Sequence, residues 1–304
     1  VQFTLQCFCN LPQLQIPLFL IFTTIYADIV FGNIVVLIAI IFDAHLHTPM
    51  YIFLSNLSVL DICYTSAILP KLLAMLYTQY KAIPLVSCIV QMYFFLTFAC
   101  CEMILLAVMG YDRYVAICHP LQYCSIMNPR QCAYMLCCVW ITSLLEPVVF
   151  IMFVANLSFC SSNNIDHFYC DVSPLLKLSC SDTTRGGLTI WKLGQCPRAR
   201  VHTLVSYVFI IVNILKIHSV HGRYKTFSTC ASHLSCVALF YVTTLSLYMR
   251  PTSMYTPMYD KFFSLLYIIL IPMLNPVIYT LKNKQFRNTF EKFIIVTRML
   301  IFHL

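Results

Sequence analysis

The stretch IPLFLIFTTIYADIVFGNIVVLIAIIF, residues 16–42, carries one charged side chain, Asp28, in 27 positions. A helix needs about 20 largely apolar residues to cross a hydrocarbon core of ~30 Å. This run is long enough to cross. It is too long for the apolar core of a signal peptide, and no small-residue cleavage site follows it. It reads as a spanning helix that also directs insertion. Working outward, comparable runs follow at about 50–76, 88–108, 132–157, 230–248 and 262–281. Six crossings are therefore expected on length alone.

A seventh is less regular. Residues 204–217 are apolar, but 14 residues reach only ~21 Å as a helix. Upstream stand Thr184-Arg185-Gly186-Gly187, Trp191-Lys192 and Cys196-Pro197-Arg198-Ala199-Arg200, a composition unlike that of a membrane segment. The fold expected is an all-α membrane protein, a seven-transmembrane helix bundle whose fifth helix is atypical or damaged. It is expected as one domain over residues 1–304, with residues 282–304 forming an inner tail that carries a short amphipathic helix. The chain opens on Val1, not Met, so an incomplete N-terminus is expected.

Composition agrees. Hydrophobic residues make up 60% of the 304 residues and charged residues 10%, against roughly 45–50% and ~25% in soluble domains. The charge of +8 comes from 19 Lys and Arg against 11 Asp and Glu. The basic residues sit mostly between apolar runs rather than on one soluble face, which argues against a nucleic-acid partner. With the N-terminus outside, Arg113, Arg130, Lys216, Arg223, Lys225, Lys282, Lys284, Arg287, Lys292 and Arg298 fall on the inner side. That bias satisfies the positive-inside rule, while Lys192, Arg198 and Arg200 oppose it.

Ionisable residues inside a membrane are costly and mark candidate sites. Asp61 and Glu102 fall within the second and third runs and could hold a cation or share a proton; hydrogen bonds to Ser58 or Asn275 are the plainer alternative. Asp28 and Glu146 fall in the first and fourth runs, and Glu146, before Pro147, is compatible with an interface. Asp112-Arg113 closes the third run on the inner side, either as a two-state polar element or as an ordinary interfacial ion pair. Asn275-Pro276 with Tyr279 one turn later makes a hinge, since proline frees a backbone carbonyl within the helix.

The 17 cysteines are an odd number. Those inside apolar runs act as small apolar residues. Cys88, Cys160, Cys170 and Cys180 lie at the outer side, where two disulfides can form; a zinc site is disfavoured by the lack of paired C-x-x-C spacing. His45, His47, His218 and His221 read as solvated inner-loop residues. Asn156-Leu157-Ser158 is a glycosylation sequon at the outer end of the fourth run, whereas Asn56-Leu57-Ser58 lies inside the second. No nucleotide loop, H-E-x-x-H, nucleophile elbow or triad order occurs, so no enzymatic activity and no cofactor are expected.

Four motifs in order make the pattern specific. They are Leu46-His47-Thr48-Pro49-Met50-Tyr51 with Leu54-Ser55-Asn56-Leu57-Ser58 and Asp61; Met109-Gly110-Tyr111-Asp112-Arg113-Tyr114-Val115-Ala116-Ile117-Cys118; Lys225-Thr226-Phe227-Ser228-Thr229-Cys230-Ala231-Ser232-His233-Leu234; and Pro272-Met273-Leu274-Asn275-Pro276 with Tyr279. Over about residues 3–293 the chain resembles the vertebrate olfactory receptors, within the rhodopsin-like G-protein-coupled receptors.

The resemblance implies a plasma-membrane receptor with an extracellular N-terminus, taking a small volatile odorant and signalling through a stimulatory heterotrimeric G protein of the olfactory type. It implies disulfides Cys88–Cys170 and Cys160–Cys180, a G-protein switch of Asp112, Arg113 and Tyr114 with Tyr207 and Tyr279, and a polar centre of Asp61, Glu102 and Asn275 resembling the family's cation site. Its odorant pocket would lie among helices three, five, six and seven. Phe95, Leu96, Ala99 and Cys100 on helix three, and Tyr241, Thr244 and Tyr248 on helix six, are the positions expected to line it, each set roughly on one face.

The chain departs from the family's pattern in places. Gly110 stands where Ala is usual and Val242 where Gly is usual, and the N-terminal arm with its Met and sequon is absent. Ser181-Asp182-Thr183 and Ser206-Tyr207 match, but the sequence between them does not. If Tyr207 keeps its inner position, Arg200 falls ~10 Å further out, near mid-membrane. A basic residue there costs on the order of 2.5–3.5 kcal/mol. The hypothesis is a frame-shifted or mis-spliced replacement; an uninterrupted reading frame encoding residues 191–200 in the resequenced transcript would sink it. A non-signalling, pseudogene-like product and a membrane transporter are the alternative functions; a transporter calls for paired broken helices or an internal repeat, and neither is visible.

Overall fold

A computed structural model describes residues 2–6, 12–159, 163–180, 205, 208, 209, 211, 212, 220–248 and 257–281. Cys160, Tyr207, the residues 181–204 and the tail 282–304 lie outside the described residues, as do the side chains of Tyr248 and Tyr279.

Four long helices come first: α1 (Gln15–Phe42), α2 (Pro49–Thr78), α3 (Leu85–Cys118) and α4 (Pro129–Ala155). A short helix α5 (Val172–Lys177) lies in the loop after α4. Then come α6 (Val220–Tyr248) and a composite α7, made of Pro257–Leu265, a π-helical turn Leu266–Leu270 and Ile271–Leu281. α1 packs along α2, α2 along α3 and α3 along α4, while α7 packs against α1, α2 and α6. By length and composition α1 to α4 and the stretch Pro257–Ile278 can each cross a membrane.

The ends follow from local chemistry. Pro49 opens α2 at a position where the missing N–H is not needed. The Asn128 side chain caps α4 by accepting from the Gln131 N–H at 2.9 Å, with Pro129 next. Gln79 ends α2 in the left-handed region, φ 58°. Within the spans, hydroxyls are satisfied on their own helix: Ser143 donates to the Val139 carbonyl at 2.7 Å and Thr65 to that of Asp61 at 2.7 Å. Both hydroxyls are fully buried, where an unpaired one is costly, and the carbonyl one turn earlier is the nearest acceptor.

Two expected spans are extended by ten residues or more. α3 runs beyond 88–108 at both ends to 34 residues, or about 51 Å, because the polar Asp112-Arg113-Tyr114 segment continues the helix beyond the apolar run. α6 begins ten residues before the expected span, at Val220, and its apolar part is the shorter His233–Leu247. The helix gains the rest of its length from the basic inner segment around Arg223 and Lys225.

A small outer sheet was not foreseen. β1 (Gln2–Leu5) is its central strand, antiparallel to β2 (Ala82–Pro84) and parallel to β3 (Asn164–Ile165). Phe3 faces Ile83, and Leu5 pairs with Ile165. Phe3 and Leu5 are fully buried, and the Phe3 ring meets Phe159 edge-on with centroids 5.2 Å apart.

Candidate functional site

The polar centre forms where α2, α3 and α7 meet. Asp61 and Glu102 are buried, 2% and 5% exposed. The Asn275 amide donates to both Asp61 oxygens, at 3.0 and 3.2 Å. Glu102 accepts from the Tyr267 hydroxyl at 3.4 Å, and its Oε1 has no hydrogen-bond partner among the described residues. Tyr267, on the π-helical turn, is a member of this centre that sequence reading missed; an aromatic in an apolar run gives no signal. Asn33 ties α1 to the same region by donating to the Pro272 carbonyl at 3.2 Å.

Asp112 is fully buried at the inner end of α3. Arg113 Nε donates to its Oδ2 at 2.9 Å, and the Tyr123 hydroxyl donates to Oδ1 at 2.8 Å. Both carboxylate oxygens are thus engaged, and the ion pair is closed. Tyr123 belongs to a one-turn helix, Tyr123–Ile126, after the 3-10 turn Pro120–Gln122. Burial and the Asp112 charge push its phenol above the ordinary range, which keeps it a donor. Nothing in its spacing from Asp112 announces this contact. The Tyr114 hydroxyl lies 3.3 Å from His119 Nε2, and the Tyr114 ring is 6.0 Å from that of Phe209.

Cys88, near the start of α3, and Cys170, in the loop after α4, form a disulfide. Cys180 is also disulfide-bonded, while its expected partner Cys160 lies outside the described residues. Asn156 ends α4, is exposed, and donates to the Met152 carbonyl at 2.8 Å. Asn56, in the other sequon, is half-buried in α2 and accepts from the Trp140 indole at 3.1 Å.

The helix-three set does not share one face. The Phe95 ring lies 5.1 Å from Tyr64, 5.1 Å from Tyr169 and 6.4 Å from Tyr267. Cys100 instead turns to α4, where its thiol donates to Glu146. At 100° per residue, positions five apart differ by about 140°, so the expectation of a single face is corrected. Leu96 and Ala99 are half-buried between them. On α6, Tyr241 is half-buried with its ring 5.5 Å from Phe240, and Thr244 is half-buried with no hydrogen-bond partner for Oγ1 among the described residues.

Comparison with known proteins fits this geometry. An olfactory receptor family model matches residues 22–297. Olfactory receptor 5I1 of Homo sapiens is 45% identical over 293 residues, covering 96% of this chain and 93% of its own. Olfactory receptor 1E16 of Mus musculus is 44% identical over 283 residues, covering 92% and 90%. The structure of squid rhodopsin superposes with a TM-score of 0.76 at 16% identity, over 94% of this chain and 82% of that one, a likeness of fold. Such receptors are not enzymes, and the transporter alternative falls away. With a family model and relatives matching nearly end to end, the chain belongs to the olfactory receptor family.

Proposed function

We propose that this receptor binds a small volatile odorant from the outer side and signals through a stimulatory, olfactory-type heterotrimeric G protein at the plasma membrane, with its N-terminus outside. The closed Asp112–Arg113 pair, capped by Tyr123, is the observation that carries this reading. A buried ion pair at the inner end of a long helix is a bistable element: opening it frees a cation for a cytoplasmic partner. Tyr114, Tyr207 and Tyr279 are proposed to complete the switch. Phe95, Leu96, Ala99, Cys100, Tyr241, Thr244 and Tyr248 remain the proposed odorant contacts, divided between two faces of α3. Asp61, Glu102 and Asn275 are proposed to act as a cation-responsive centre, Cys160–Cys180 as a second disulfide and Asn156 as a glycan acceptor.

Surface expression followed by cyclic-nucleotide measurement against a volatile panel tests the reading. Odorant responses that vanish in Arg113→Ala at unchanged surface level support it. Responses that persist in that variant refute the switch assignment. A second reading, a non-signalling product, is favoured by Lys192, Arg198 and Arg200 in the stretch where the family has an apolar helix. Retention of the whole chain inside the cell would select it.

A further inference from the structure

The outer face holds buried polar groups that neither the switch nor the polar centre uses. Lys261, near the outer end of α7, is only 8% exposed. A lysine so deep is seldom left unpaired; its Nζ donates to Asp166 Oδ1 at 2.6 Å. Ser264, fully buried, lies three residues further along α7, on the same helical face. It meets His167 Nε2 and the Tyr169 hydroxyl, each at 3.4 Å. Two residues one turn apart on α7 therefore hold Asp166, His167 and Tyr169 of the outer loop.

The other end of that loop segment is fixed to α3. Cys170 is bonded to Cys88, and its N–H donates to Gln91 Oε1 at 3.1 Å. Tyr169 sits between a covalent anchor on α3 and a polar latch on α7. Its ring is fully buried, edge-on to His167 at 4.4 Å and 5.1 Å from Phe95. An aromatic side chain has only two side-chain torsions, so the position of its backbone sets the position of its ring. The latch thus determines how far Tyr169 stands above Phe95.

We infer that Lys261 and Ser264 are positioning residues that fix Tyr169 as the roof over Phe95 and so limit the size of volatile the receptor admits. The inference rests on the reading that Phe95 lines the odorant site. The latch itself is independent of that reading, and the experiment separates the two.

Hydrogen exchange of the full chain in lipid nanodiscs, without odorant, reads the latch through the His167 and Cys170 amides, which are both hydrogen-bonded. Lys261→Ala is expected to speed exchange there about five- to tenfold, the effect of losing a charge-assisted bond whose Asp166 end is half-exposed; Ser264→Ala, which loses two long neutral contacts, is expected to speed it in the same direction by less. The charge-swapped pair Asp166→Lys with Lys261→Asp is expected to restore protection. Lys261→Gln keeps a donor and serves if the alanine variant does not fold, with an intermediate rate expected. Unchanged exchange in the single variants, or a swap that fails to restore it, overturns the latch. In the second arm, a graded series of straight-chain and branched volatile alcohols is applied to cells. Wider acceptance of bulky members by Lys261→Ala, reversed in the swapped pair, supports the size limit. Identical response profiles overturn it. If even the unaltered receptor answers neither the alcohols nor the wider volatile panel while the exchange results hold, the latch stands and the proposed odorant reading, with the size limit resting on it, is rejected.

Discussion

Asn275 donates its side-chain amide to both carboxylate oxygens of Asp61, tying α7 to α2 in the middle of the bundle. Asn33 adds α1 through the Pro272 carbonyl. Three helices are therefore joined by polar contacts at a depth where water is scarce and each unmade bond is expensive.

Asn275→Ala leaves the buried Asp61 carboxylate without its amide donor. A loss of about 2–3 kcal/mol is expected, read as a lower thermal midpoint of the purified receptor. Asp61→Asn combined with Asn275→Asp keeps an amide facing a carboxylate and should recover most of that loss. A doubly exchanged receptor no more stable than Asn275→Ala would show that the pair is not the joint.

Tyr123→Phe removes one donor from the fully buried Asp112 and keeps the ring. The closed ion pair should weaken by about 1–2 kcal/mol. Odorant-free nucleotide exchange on a G protein is expected to rise, by roughly fivefold to thirtyfold if that whole amount appears as opening. A basal rate equal to that of the unaltered receptor would remove Tyr123 from the switch.

The outer loop carries two groups with opposed titrations. Burial, with the Lys261 ammonium nearby, pushes His167 from 6.5 down to about 3. Burial pushes the Asp171 carboxyl from 3.8 up to about 7, with Asp260 adding to it and the Val172 and Ser173 N–H groups opposing it. Stability from a neutral buried His is present above 6.5 and is lost as pH falls through about 3. Stability from a protonated buried Asp is present below 3.8 and is lost as pH rises through about 7. Between about 4 and 6.5 the two slopes cancel, so the loop's stability should be flat there. Asp171→Asn exposes the His167 slope: protection of the loop amides should then rise with pH across that window, by up to about 1.4 kcal/mol per pH unit. A flat profile in Asp171→Asn would contradict the pairing.

Phe3→Ala empties a fully buried site between β2, β3 and Phe159. The expected loss is about 3–5 kcal/mol if the site does not collapse. Exchange should quicken at the Thr4 and Leu5 amides, which bond to the Asn163 and Lys81 carbonyls at 2.8 and 2.9 Å. The inner ends of α3 and α6 should be unaffected, and slower switching in this variant would mean the cap acts at a distance.

The helical frame was legible because lipid imposes a length and a composition that a sequence displays directly. The motifs around Asp61, Asp112 and Asn275 marked the buried polar groups, and Asn275 was already a candidate partner for Asp61. What was hidden depended on direction rather than composition. Cys100 was grouped with Phe95, yet a rotation of about 140° aims it at Glu146 on α4. Tyr123 and Tyr267 reach their carboxylates across loop and helix boundaries with no spacing rule to reveal them. The outer sheet escaped because strands of two to four residues are too short to display an alternating pattern.

The sheet also imposes an order of events. Gln2–Leu5 emerges from the ribosome before any of the seven helices, yet its parallel neighbour at Asn164 and Ile165 follows about 160 residues later. β1 can meet β2 once α1 and α2 have been made, but its third strand waits for α3 and α4. The three-stranded sheet is therefore complete only when the loop after α4 has been made, and it then ties together the chain ends of the first four helices.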